Sequence, residues 1–369
     1  MKLSNIFEFP KSESQRIISM EGLRGLAVFL VFLPHFVSML KPWIDPNSFS
    51  YAVFNQLFNI GHIGVDLFFV LSGYLIYGTL IVKERDFIPY IQRRIQRIYP
   101  TFLIVFCAYL VLSFLFPNES KLPLLLTDKI YYIFQNLIFM PGLFDIKPIM
   151  TVAWTLSYEF FYYLMIPVLI GIFSLRNWSR QNRILLFLII ALLVYTYYYF
   201  DTDFYKHGGL LRLMMFVSGI LLFEAIEGNY FYRWKSFGLL ALICLLFIIV
   251  VLDVYDWGSW YRSLAIFILF FLLCLDAFRT NSITSRVFSI KPIRYLGNMS
   301  YSYYLIHSLG LKALFMILNR MYPPQAQDSM IGWIIMPTFF ALTLIPAIIL
   351  FLMIEKPFSL TKAHVKRNE

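Results

Sequence analysis

The sequence predicts an all-α polytopic membrane helix bundle of about ten transmembrane helices with both termini cytoplasmic, and three observations predict it. Hydrophobic residues make up 60% of the 369 positions and charged residues only 14%, where soluble domains carry about 25% charged residues. The apolar residues come in blocks close to the ~20 residues that carry a helix across a bilayer. Basic and acidic residues alternate from one interblock loop to the next, the pattern that membrane topology imposes.

The apolar blocks fall at about 23–41, 61–82, 98–116, 152–173, 184–200, 209–225, 237–253, 259–277, 300–318 and 331–354. Each has the length of a span. The segment 129–141 is too short for one and reads as an interfacial or re-entrant piece. Lys83, Arg85, Arg93, Arg94 and Arg97 lie between the second and third blocks, and Arg176, Arg180 and Arg183 in the next loop on that side. Arg233, Lys235, Arg279, Arg286, Lys291, Arg294 and the basic tail continue the series. The alternate loops carry Asp45, Glu119, Asp128, Asp145, Asp201, Asp203, Asp253, Asp256 and Asp328 with scattered lysines. Basic loops mark the cytoplasmic side, so an even number of spans puts both ends there. The same bias accounts for the net charge of +10 with no nucleic-acid partner.

The chain divides into a cytoplasmic segment 1–19, a transmembrane domain 20–358 and a cytoplasmic tail 359–369. The polar N-terminus lacks the marks of a cleaved signal peptide. No loop is long enough for a soluble domain, no appended one is expected, and no internal repeat of the transporter kind is visible. Cys107, Cys244 and Cys274 lie in apolar blocks and read as small buried hydrophobes, without pairing or metal spacing.

Charged side chains inside spans cost ~2.5–3.5 kcal/mol each at a helix centre, so those present are functional candidates. Arg24 and His35 stand eleven residues apart in the first block. At ~100° per residue they share a face, and at 1.5 Å rise they are ~16 Å apart along the axis. The guanidinium fork suits phosphate, and an imidazole suits general-base work near neutral pH. A snorkelling arginine and a structural histidine are the competing reading. Pro34, directly before His35, frees a backbone carbonyl one turn back. Asp66 opens the second block and shares a face with Gly73; it either orients a histidine or makes an ordinary interhelical bond. Arg94 and Arg97 are i, i+3 neighbours whose heads converge, as an anion site beside Arg24 or as simple cytoplasmic anchors.

Glu159 lies about two turns into the fourth block, with Tyr162 on its face. A carboxylate there needs a partner, and the expected one is His35, whose basicity it would raise. His307, two turns into the ninth block, is catalytic or structural with equal warrant. Glu355 reads as a boundary cap, and His62 and His207 as loop histidines.

Six segments in this order, MEGLRGLAVFLVFLPHF, GHIGVDLFFVLSGYLI, RRIQRIYP, WTLSYEFFYYL, SYSYYLIH and IEKPF, resemble the acyltransferase family 3 of membrane proteins from about residue 19 to 358. That family O-acylates bacterial surface polysaccharides and related glycans. Its spaced arginine and histidine fall on Arg24 and His35, its paired arginines on Arg94 and Arg97, and its span-four glutamate on Glu159. Glu21 stands where the family usually has aspartate. The resemblance implies a protein of the cytoplasmic membrane and an acyl-CoA donor, usually acetyl-CoA. It also implies a sugar hydroxyl on a cell-surface or lipid-linked glycan as acceptor, and no metal.

The expected division of labour follows. Arg24, Arg94 and Arg97 hold the CoA phosphates, His35 is general base or acyl carrier, and Glu159 orients it. Asp66, Tyr162 and His307 support the site. A transporter or flippase of a glycan or acyl carrier would also bury charges in such a bundle and remains the alternative.

Overall fold

The computed structural model describes residues 7–8, 17–200, 208–231, 236–251, 260–279, 281–324 and 330–360. Asp201, Asp203, His207, Arg233, Lys235, Asp253, Asp256, Asp328, most of the segment 1–19 and the tail beyond 360 lie outside them. The described chain is helical throughout: α1 Ile18–Leu40, α2 Phe49–Gly61, α3 Ile63–Val82, α4 Phe87–Leu115, α5 Leu126–Leu137, α6 Trp154–Ile172 and α7 Arg180–Phe200 in the first part. The second part holds α8 Gly208–Glu227, α9 Gly238–Val251, α10 Trp260–Ala277, α11 Ile283–Phe288, α12 Lys291–Asn298, α13 Ser300–Met321 and α14 Ile331–Leu350. A wide π-helical stretch, Phe351–Leu360, continues α14.

Among the described residues seven helices are long and apolar enough to cross a membrane. They correspond to the predicted blocks at α1, α3 (with α2 as one stretch), α4, α6, α7, α10 and α14. The other three predicted spans are helices as well, but not among those seven. The α9 helix is apolar and only 14 residues long, α8 carries Arg212 and Glu224, and α13 is rich in Ser and Tyr. The side chains left on the outside of α7, among them Leu185, Leu188, Leu192 and Leu193, are large and apolar, as a lipid-facing surface requires.

Helix ends follow local rules. The Ser48 hydroxyl accepts from the Tyr51 amide at 3.1 Å and caps α2. In α1, Pro34 removes one helical bond, and Gly61 packs against its ring and the Leu30 carbonyl. The α4 helix starts eleven residues before the predicted block, so Arg94 and Arg97 sit on a continuous helix.

The segment 129–141 is α5 followed by a buried loop, neither of them a span. Phe139, Ile149, Met150 and Val152 are buried in it. Irregular backbone packed against a core needs protein groups to satisfy it. Here the hydroxyls of Ser157 and Tyr158 donate to the carbonyls of Pro141 and Gly142. The Asn136 side chain accepts from the Ile149 amide at 2.8 Å.

The bundle is tied most closely where glycines let backbones touch. A Cβ on Gly73 would stand 2.3 Å from the Phe216 carbonyl, and one on Gly219 2.1 Å from that of Val70. These two positions join α3 to α8. Gly219→Ala is expected to lower stability by about 1–3 kcal/mol through overpacking. Gly171→Ala, with nothing within 4 Å, should leave stability level or raise it by about 0.5–1 kcal/mol through helix propensity. Thermal unfolding of the two purified variants in detergent compares them.

Candidate active site

Three arginines from two helices meet in one cavity. Arg24 enters from α1 and Arg94 and Arg97 from α4, and all three line a space of about 160 Å³. The α3 helix supplies Phe68 and Ser72, α6 supplies Thr155, Glu159 and Tyr163, and α13 supplies Ser300, Tyr301 and Tyr304. The sequence expectation that the arginines cluster matches this geometry.

Each guanidinium is held differently. Arg97 Nη1 donates to Glu355 Oε1 at 2.9 Å and lies 5.8 Å from the Tyr301 ring centroid. Arg94 lies between the rings of Tyr90 and Tyr163, 5.2 Å from each. Those ring contacts orient the planar cation. Arg24 has no carboxylate within ion-pair distance among the described residues, although Glu159 and Glu355 both act on it electrostatically. Its five donors are thus available to a ligand. Three guanidiniums face two carboxylates in this region, leaving a positive surplus for an anion.

Glu159 does not reach His35. Its Oε1 accepts from the Tyr163 hydroxyl and from Ser72 Oγ at 3.3 Å, and it belongs to the arginine cavity. The expected imidazole–carboxylate pair is therefore corrected to a Tyr163–Glu159–Ser72 group. The helical step explains the change: Tyr163 lies four residues on and can meet Glu159. Tyr162, expected on that face, stacks on Phe216 at 4.3 Å and donates to the Gly73 carbonyl at 3.3 Å.

His35 instead faces His307, their ring centroids 4.9 Å apart and nearly perpendicular. His307 Nδ1 lies 3.0 Å from the Tyr303 carbonyl and 2.8 Å from that of Tyr304. Carbonyls only accept, so Nδ1 carries the proton and the neutral ring keeps its lone pair on Nε2. Among the described residues that buried nitrogen has no hydrogen-bond partner. Tyr304 links the regions: it lines the arginine cavity, bonds Thr155 Oγ1 at 2.6 Å, and its ring lies 6.1 Å from that of His307.

Asp66 is not paired with a catalytic histidine either. It is buried in a small separate pocket with His62, Arg212 and Arg262, whose guanidiniums supply its counter-charge. Arg212 also lies 4.7 Å from the Trp154 ring, and Arg262 Nη2 donates to the Asn59 carbonyl at 3.1 Å.

Sequence reasoning passed over Arg212, Arg262 and Glu224, although a charge inside an apolar block is the very signal that singled out Glu159. Glu355, which reads from sequence as a boundary cap, is instead fully buried and joins two other helices: Oε2 accepts from the Ser302 amide at 3.0 Å and its hydroxyl at 2.6 Å, while Oε1 holds Arg97. Among the described residues no three His, Cys, Asp or Glu side chains gather where they could hold a metal ion.

Known proteins extend this picture. The chain is 25% identical over 329 residues to the O-acetyltransferase OatA of Staphylococcus aureus, covering 78% of this chain and 49% of that protein. It is 26% identical over 322 residues to the peptidoglycan O-acetyltransferase OatA of Listeria monocytogenes, covering 78% of this chain and 48% of that one. The chain thus spans about half the length of these curated relatives. No solved structure matches it. A family model described as "Acyltransferase domain" matches residues 17–352, a stretch that takes in every residue lining the arginine cavity, and the chain belongs to that acyltransferase family.

Proposed function

We infer that the protein is a membrane O-acyltransferase that moves an acyl group, acetyl in the first instance, from acyl-CoA to a sugar hydroxyl of a cell-envelope glycan. The observation that carries this reading is the arginine cavity: three guanidiniums from two helices, one of them without an ion pair among the described residues, around a space of about 160 Å³. That volume is below the ~300–1,000 Å³ of pockets that enclose a whole small molecule. It suits one end of a donor, with the bulk of a nucleotide lying outside. The relatives named for O-acetylation, one of them for peptidoglycan, make peptidoglycan the first acceptor to try.

The chemistry balances within the histidine region. The sugar hydroxyl loses its proton to His35 as its oxygen attacks the thioester carbonyl. A C–O ester bond forms, the C–S bond breaks, and the proton passes to the leaving thiolate. His307, its bare Nε2 beside the His35 ring, shares in that proton movement. The Tyr163–Glu159–Ser72 group and Tyr304 hold the wall between phosphates and thioester. With the basic loops inside, the donor enters from the cytoplasm and the acceptor from the other face.

The test uses purified protein in detergent with acetyl-CoA and peptidoglycan fragments, and reads the ester by mass spectrometry. Arg24→Ala should raise the KM for acetyl-CoA by about 10–100-fold, the worth of a charge-assisted hydrogen bond. Acetyl-CoA left unconsumed by the wild type with every glycan offered would overturn the reading and leave transport in its place.

A further inference from the structure

A second, larger cavity lies beyond the histidine pair and shares no lining residue with the first. It measures about 360 Å³, within the usual range for small-molecule sites. Met39, one turn past His35, and Ser308, the neighbour of His307, form its inner wall together with Tyr109. Glu119 and Lys121, from the loop after α4, and Lys312, on α13, form its rim.

This rim lies toward the opposite end of α4 from Arg94 and Arg97 and carries two of the scattered lysines of the alternate loops and spans. Lys312 pairs with Glu119. Among the described residues Lys121 has no carboxylate partner: its Nζ donates to the Pro148 carbonyl at 2.9 Å and to Thr151 Oγ1 at 3.4 Å. Partial burial, then Lys312 and Lys147, push the Lys121 ammonium below its ordinary range. An ammonium crowded by two others gains from an arriving anion.

We propose that this cavity is the acceptor site and that it takes a sugar bearing a carboxylate, held by Lys121 and Lys312 with its reacting hydroxyl turned toward His35 and His307. The proposal rests on the acyltransferase reading above. It adds the acceptor's chemical class: an acidic glycan, approached from the face away from the arginines. A headgroup of an anionic lipid is the rival occupant.

Binding can be read without turnover. The probes are a disaccharide ending in glucuronate and its neutral methyl ester, titrated calorimetrically into the full chain in a zwitterionic detergent. The wild type should bind the acid at least about tenfold more tightly than the ester, and Lys121→Gln/Lys312→Gln should erase that preference. Unaltered acetyl-CoA binding by the double variant checks that it is folded, and the single Lys121→Gln variant, which leaves the Lys312–Glu119 pair in place, should lose part of the preference. Equal binding of acid and ester by the wild type, a preference that survives in the double variant, or displacement of the acid by stoichiometric phosphatidylglycerol would overturn the proposal. Selective binding of the acid, together with acetyl-CoA left unconsumed with every glycan offered, would sustain the charge selection and sink the acyltransferase reading instead.

Discussion

Replacing His35 with alanine is expected to lower acyl transfer by about 10²–10⁴, the usual contribution of a positioned base. The ring sits against His307, whose Nε2 has no partner among the described residues and whose Nδ1 proton is committed to two carbonyls. A purely structural pair would have its nitrogens bonded within the protein, since an unmet buried polar atom costs about 1–3 kcal/mol. Steady-state rates at saturating acetyl-CoA measure the loss, and size-exclusion profiles in detergent show whether the variant still folds. His35→Ala with unchanged turnover would remove the histidines from the mechanism and leave only the arginine cavity. His307→Ala is the companion measurement: it should reduce turnover while leaving the KM for acetyl-CoA near its wild-type value, because His307 is not part of the arginine cavity.

The largest loss of stability is expected at Glu224, a residue outside the reaction. Its carboxylate is fully buried on α8 and receives Tyr77 at 2.5 Å, Arg183 at 2.5 and 3.1 Å, and Arg180 at 3.2 Å. Glu224→Ala strands the Arg183 charge and the Tyr77 hydroxyl together. Breaking a buried pair from one side costs about 3–5 kcal/mol, part of which the half-exposed Arg180 escapes by turning to water. Thermal unfolding in detergent should place this variant far below wild type. Glu84→Ala is the control: that carboxylate is 87% exposed and 3.7 Å from Arg176, and exposed pairs contribute about 0–1 kcal/mol. Equal shifts in both variants would mean that the buried cluster does not hold α7 to α8.

Much of this architecture was legible because bilayer thickness and helix rise are fixed lengths, so apolar blocks near twenty residues declare themselves. The arginine cluster was legible too, since i, i+3 spacing and a charge at a span's end are local facts. Partnerships were not. Glu159 finds Tyr163 one turn away and Ser72 on another helix, where reasoning from depth alone had chosen His35. Asp66 is neutralised by Arg212 and Arg262, which lie some 150 and 200 residues further along. Which helices adjoin is set by contacts such as Gly73 with Phe216 and Gly219 with Val70, and a single sequence records the glycines without saying what they touch. The span count shows the same limit: α9 and α13 are helices, but length and apolarity alone do not certify them as crossings.

The loop that follows α5 bears on biogenesis. Its Pro141 and Gly142 carbonyls are met by Ser157 and Tyr158, residues translated only after it. Without those hydroxyls the two carbonyls would lose their partners inside the protein, at about 1–3 kcal/mol apiece. The loop 138–153 therefore takes its final packing only once Trp154–Ile172 has been synthesised, and the two settle as a single unit.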